Sequence, residues 1–99
     1  MKRIILLAFL CTTTLVMAQR INHVQEAIAN YDYEAALTLI AKEKPTIPLL
    51  LQKGKAQRGL GMNTEALSTY QEIITNDTAN TRAYIEAAEC CRSLAKYQQ

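Results

Sequence analysis

The chain has 99 residues, of which 49% are hydrophobic and 20% charged, with three glycines, two prolines and no tryptophan. This composition excludes a disordered, collagen-like or low-complexity chain, and the length leaves room for one small domain. Eleven basic and nine acidic residues give a formal net charge of +2. One histidine and three cysteines are too few for a metal-rich or multiply disulfide-bonded scaffold.

Residues 1–18 have the pattern of a secretory signal peptide. Lys2 and Arg3 precede an apolar stretch that ends at Ala18, with small or short side chains before the expected cleavage point. The stretch is 15 residues long and is interrupted by three threonines, whereas a membrane-spanning helix needs about 20 apolar residues. We therefore predict cleavage, a mature domain 19–99 that does not span a membrane, and export to the periplasm or the medium, in a Gram-negative bacterium.

Cleavage changes the charge of the chain. Lys2 and Arg3 account for the whole excess, so the mature chain carries nine basic and nine acidic residues. A neutral chain gives no indication of nucleic-acid binding through bulk charge.

Two adjacent cysteines, Cys90 and Cys91, belong to the mature chain. Neighbouring cysteines in a helix do not reach disulfide geometry without strain. We expect them to pack as small hydrophobic residues, with pairing between chains and a redox or metal role as the alternatives. The single histidine, His23, lies far along the chain, so we predict no metal site and no cofactor.

From Gln19 onward the predicted elements are all helices. Apolar residues recur at spacings of three and four, as in Ile21, Val24 and Ile28, and no stretch alternates apolar with polar residues. Turn-forming residues divide the pattern into five helices of roughly 10–16 residues, and Asp32 is placed to cap the second helix. The predicted breaks are Asn30–Asp32, Pro45–Pro48, Gly59–Asn63 and Asn76–Asn80.

The second and fourth predicted helices open in the same way. Ala36 and Ala66 are 30 residues apart, and each is followed four residues later by a larger apolar side chain, Ile40 or Tyr70. A period of this length is typical of stacked helical hairpins.

Residues 47–80 resemble one tetratricopeptide repeat (TPR). Residues 21–45 resemble a degenerate preceding repeat, and residues 81–97 resemble the first helix of a third. The resemblance implies an all-α fold of antiparallel helix hairpins stacked as a short TPR-like α-solenoid, with Sel1-like repeats and an unrelated all-α bundle as alternatives. The matching positions in the middle repeat are Leu50, Gly54, Leu60-Gly61, Ala66-Leu67, Tyr70 and Ile73, and those in the last helix are Tyr84, Ala87, Ala88 and Cys91.

The sequence departs from the TPR pattern at three positions of the middle repeat. Lys53 and Gln57 stand where Leu and Tyr are usual, and Thr78 stands where a closing Pro is common. These departures leave the helix-hairpin interpretation unchanged.

The last predicted helix is apolar over most of its circumference. Its polar residues form one narrow stripe, and a helix of this kind is expected to be covered on two sides. The preceding hairpin covers one side. More of the same protein, a second copy in a homodimer, or a partner could cover the other. The candidate interface residues are Ile85, Cys90 and Leu94.

The TPR resemblance implies a protein-interaction scaffold with a concave groove. Lys55 and Arg58 are neighbours on one helix face and, with Lys42, Lys44 and Lys53, form a basic segment. An ordinary solvated helix face is the simpler interpretation of this segment, and the alternative is a site for an acidic partner segment or a terminal carboxylate. The candidate groove residues are Leu51, Lys55, Arg58, Arg82, Glu86 and Glu89.

No catalytic triad, paired apolar carboxylates, phosphate loop or metal-ligand spacing is present in the sequence. We predict a non-catalytic adaptor of the bacterial cell envelope that binds a protein or peptide. The alternative is the extracytoplasmic sensory segment of a longer signalling protein, which a membrane span beyond Gln99 would indicate.

Overall fold

The structure, a computed structural model, describes residues 20–97. The predicted signal peptide and its cleavage point lie outside the described residues. The described chain is all-α and contains no strand, as predicted. Its five helices are α1 (20–29), α2 (Tyr33–Ala41), α3 (Ile47–Gly59), α4 (Asn63–Asn76) and α5 (Thr81–Tyr97).

Side-chain caps fix the starts of three helices. The Asp32 carboxylate accepts a hydrogen bond from the Ala35 amide (3.3 Å), as predicted. The Thr46 hydroxyl accepts one from the Leu49 amide at 3.4 Å, and the Asn80 side chain accepts one from the Ala83 amide at 3.0 Å. Each bond satisfies an amide that has no partner within its own helix.

Two helices end in the same left-handed turn. At the end of α3, Gly61 has φ +77°, its amide donates to the Arg58 carbonyl, and the Met62 amide donates to the Gln57 carbonyl. This is the Schellman arrangement. At the end of α1 the equivalent residue is Tyr31, with φ +62°.

The core consists of two clusters that share α3. Leu49 and Ala56 of α3 pack with residues of α1 and α2, whereas Leu50 packs with residues of α4 and α5. Successive helices therefore contact their neighbours along the chain, which is the arrangement of a helical-repeat-like fold. The other members of the two clusters are Val24, Ile28, Ala36 and Ile40 in the first, and Ala66, Tyr70, Ile73, Ala83 and Cys90 in the second.

Two helices depart in length from the predicted range: α2 has nine residues and α5 has 17. Expected packing positions of α5 are also corrected by the structure. Tyr84, Ala88 and Cys91 are exposed and Ala87 is half-buried, because no described helix covers this side of α5. None of the helices within residues 20–97 is both long enough and apolar enough to cross a membrane.

Candidate partner-binding site

A cavity of about 330 Å³ lies between α3 and α5. Five of the six predicted groove residues line it, three from α3 and two from α5. The structure thus brings together side chains that are up to 35 positions apart, from Leu51 to Glu86. The lining residues are Pro48, Leu51, Gln52, Lys55, Arg58, Tyr70, Arg82 and Glu86.

Tyr70 of α4 reaches this cavity because α3 has a glycine where the two helices cross. A Cβ atom placed on Gly54 would lie 2.5 Å from Cζ of Tyr70 and 2.8 Å from its hydroxyl oxygen. No side chain fits between the helices at that point. The Tyr70 side chain is 1% exposed and belongs to the second core cluster, so it joins the core to the floor of the cavity.

An ion pair between Arg58 and Glu86 connects α3 to α5 across the cavity. Both side chains are partly buried. Burial on its own lowers the pKa of the Arg58 guanidinium, but the facing Glu86 carboxylate, with Cys90 and Tyr70, more than offsets this effect and the pKa is raised. Arg58 is therefore cationic at neutral pH.

The groups beneath the ion pair are held in their neutral forms. Burial, together with the charge of Glu86, raises the pKa of the Tyr70 hydroxyl to about 12, and Arg58 reduces the rise. Burial also raises the pKa of the Cys90 thiol, again against the effect of Arg58. Neither group acts as an anionic nucleophile near neutral pH, since a raised pKa depletes the charged form.

The cavity carries a surplus of positive charge. Lys55, Arg58 and Arg82 line it with a single carboxylate, Glu86, which already pairs with Arg58. Within residues 20–97, neither Lys55 nor Arg82 forms an ion pair with a carboxylate. Two cations beside an apolar wall formed by Pro48 and Leu51 suit a ligand with both acidic and apolar groups.

Several residues of the predicted basic segment and groove lie elsewhere. Glu89 does not line this cavity and pairs with Arg92 on the surface of α5. Lys42, Lys44 and Lys53 do not line it either. The predicted segment is therefore divided, and only Lys55 and Arg58 face the cavity.

Tyr70 was predicted as a core residue, and its contribution to the cavity was missed. A tyrosine at this core position could have indicated that contribution. Unlike a phenylalanine, a buried tyrosine has a hydroxyl that usually needs a polar partner. Pro48 and Gln52 carried no comparable signal.

The outer side of α5 forms a second exposed surface. Ile85 is 57% exposed and Leu94 is half-buried. Cys90 is fully buried among residues of the second core cluster, so its assignment to an interface was wrong. The pattern of α5 alone did not distinguish it from Cys91, which is the exposed thiol.

No group of three or more His, Cys, Asp or Glu side chains within residues 20–97 is arranged to hold a metal ion. Comparison of the chain with protein-family models, with curated proteins and with solved structures finds no match.

Proposed function

We propose that the chain is a non-catalytic adaptor, related to TPR proteins, that binds an acidic segment of a partner protein in the cavity between α3 and α5. The observation that carries the proposal is the pair of cations, Lys55 and Arg82, beside the apolar wall of that cavity. The signal-peptide pattern of residues 1–18 supports action outside the cytoplasm, in the periplasm or the medium.

The arrangement favours a peptide over a small molecule. The cavity is open to solvent, and its volume is at the lower limit of sites that enclose drug-sized ligands. A carboxylate of the partner would lie between Lys55 and Arg82, and an apolar side chain would contact Leu51. The Arg58–Glu86 ion pair would hold the two helices at the spacing that the peptide needs.

A charge-reversal experiment tests this function. The probe is a fluorescein-labelled octapeptide with alternating Glu and Leu residues, and its binding is followed by fluorescence anisotropy at about 50 mM NaCl. We expect Lys55→Glu and Arg82→Glu each to weaken binding at least tenfold at this low salt concentration, because each replaces attraction of the peptide's carboxylates by repulsion.

The matched control is Lys44→Glu, which makes the same change of charge at an exposed lysine that does not line the cavity. It should leave the affinity within about twofold of the parent. Equal binding of a Lys-Leu octapeptide, or equal weakening by all three variants, would contradict a specific acidic site. Raising NaCl to about 500 mM should weaken the parent's binding strongly, since exposed charges are then screened.

A further inference from the structure

The outer face of α5 repeats a surface that α4 covers elsewhere in the molecule. Three positions of α3 have equivalents 34 residues later in α5. Leu50, Gly54 and Gln57 correspond to Tyr84, Ala88 and Cys91, respectively. In α3 these positions are buried: the Tyr70 ring lies against Gly54, and Thr69 donates a 2.7 Å hydrogen bond to Gln57. The equivalent positions in α5 are exposed.

The exposed apolar face of α5 is continuous. Tyr84, Ala88, Cys91 and Ala95 follow one another at spacings of four, three and four residues, which places them on one stripe of the helix. Ile85 borders the stripe. Tyr84 and Ile85 are 47% and 57% exposed, and the Tyr84 hydroxyl donates to the Thr78 carbonyl at 3.1 Å, which fixes the ring at one end of the stripe.

We propose that this face, defined as Tyr84, Ile85, Ala88, Cys91 and Ala95, pairs with the same face of a second copy of the chain, with the two α5 helices antiparallel. An antiparallel pair centred between residues 89 and 90 places Tyr84 of each copy opposite Ala95 of the other. Ala88 then faces Cys91. Each end of the contact matches a large side chain with a small one, as close packing requires.

The charges at the margin of the face are compatible with this orientation. Arg92 and Glu89 lie next to each other and form an ion pair within the helix. In the antiparallel register the order along the axis is Arg92, the partner's Glu89, Glu89 and the partner's Arg92, so each guanidinium lies about 3 Å along the axis from a carboxylate of the other copy. Residues 20–97 carry nine basic and nine acidic side chains, so two copies of the described domain do not repel each other through net charge.

The contact is short, and the dimer is therefore weak. From Tyr84 to Ala95 the helix rises about 16 Å, which places the buried area at the small end of specific interfaces. We expect a dissociation constant of roughly 10–100 µM.

Sedimentation equilibrium tests the interface on protein expressed from the full 99-residue sequence. The measurement runs from about 5 µM to about 1 mM with a reducing agent, so that no Cys91 disulfide forms. Ala88→Glu should weaken dimerisation at least tenfold, because it places a carboxylate at the centre of the contact. Ala29→Glu makes the same change at an exposed alanine of α1 and should have no effect. A circular dichroism melt of each variant shows that its fold is retained.

Two outcomes overturn the proposal: a monomer over the whole concentration range, and a dimer that Ala88→Glu leaves intact. The first would leave the face to a different partner protein, and the second would place the dimer contact on another surface.

Disulfide trapping tests the antiparallel order. Two chains are compared, both with Cys11→Ser and Cys91→Ser, one also carrying Tyr84→Cys and the other Ala95→Cys; the buried Cys90 is common to both. Under mild oxidation a mixture should form the mixed disulfide at least fivefold more than either chain forms its own. Efficient self-linking of each chain would indicate a parallel pair and overturn the proposed register, as would the absence of any linked species.

Discussion

Tyr70 connects the stability of the core to the state of the cavity. Its ring fills the space over Gly54, and its hydroxyl lies among Arg58, Glu86 and Cys90. Because the phenol is buried, the folded protein keeps it neutral and raises its pKa to about 12, from an ordinary value of 10. The folded state therefore holds this proton at a pH at which the unfolded chain has already lost it.

This difference predicts a loss of stability in alkali. The unfolded chain binds fewer protons than the folded one between about pH 10 and pH 12, so the free energy of unfolding falls as the pH rises through that window. Between pH 9 and pH 11 the contribution of Tyr70 is a loss of about 1 kcal/mol. Urea unfolding at pH 9 and pH 11 measures the fall in the free energy of unfolding for the parent and for Tyr70→Phe. The fall should be smaller by this amount in the variant, because only the contribution of Tyr70 is removed and Cys90 titrates in both proteins. An equal fall in parent and variant would contradict the prediction.

The two cysteines show what a residue-level pattern misses. Cys90 and Cys91 are about 100° apart around the helix, and both lie within its broad apolar surface. The sequence predicts that either thiol can pack in the core. The positions of α3 and α4 relative to α5 decide which of the two does so. Cys90 enters the core, and Cys91 is left on the outer face.

At the scale of the elements, the helix ends were the most predictable feature. Asp32 caps α2, Gly61 supplies the left-handed turn after α3, and the 76–80 break contains Asn80, which caps α5. These signals act over three to five residues, so no tertiary information is needed to interpret them. The lengths of α2 and α5 were less predictable, because helix ends also depend on what the helix packs against.

The pair formed by Gln57 and Thr69 joins α3 to α4 at the position where the sequence departs from the TPR pattern. Both side chains are buried and share a 2.7 Å hydrogen bond. The Glu65 carbonyl lies 3.1 Å from the same hydroxyl and shares its single hydrogen as a second acceptor. A polar residue is tolerated at position 57 because α4 supplies its partner.

This arrangement predicts an asymmetric mutant cycle. Thr69→Val should lower the free energy of unfolding by about 1–3 kcal/mol, because it leaves the buried Gln57 oxygen without its donor. The double variant Gln57→Leu, Thr69→Val should recover most of the loss, since both partners are then apolar. Chemical denaturation of the parent, the two single variants and the double variant measures the coupling. Purely additive effects would show that the hydrogen bond contributes nothing specific.

At the scale of the whole molecule, the sequence predicted most of the residues that line the cavity but not how their charges pair. The expected period of helical hairpins places α3 and α5 side by side, so five of its residues were identified. The Arg58–Glu86 pair and the position of Glu89 outside the cavity depend on how far α5 rotates about its axis. That rotation is set by packing between residues 28 positions apart, which local periodicity does not specify.

The proposed cavity and the proposed dimer contact use opposite sides of α5. Arg82 and Glu86 line the cavity, whereas Ala88 lies about 200° around the helix from Glu86. Pairing through the outer face therefore leaves both cavities open, and one dimer offers two sites for acidic segments.

A two-site dimer predicts avidity for a tandem ligand. Two copies of the Glu-Leu octapeptide joined by a flexible Gly-Ser linker of about 20 residues should bind the parent at least tenfold more tightly than one copy, at a protein concentration at which the dimer is populated. Ala88→Glu should abolish this gain without changing the affinity for the single octapeptide, since the cavity is untouched. Lys55→Glu should weaken both ligands, because it acts on the cavity itself. Anisotropy titrations of the two peptides against the three proteins distinguish the effect of the cavity from that of the dimer contact. If the tandem peptide still bound Ala88→Glu more tightly than the single peptide, the two sites would not be joined through α5.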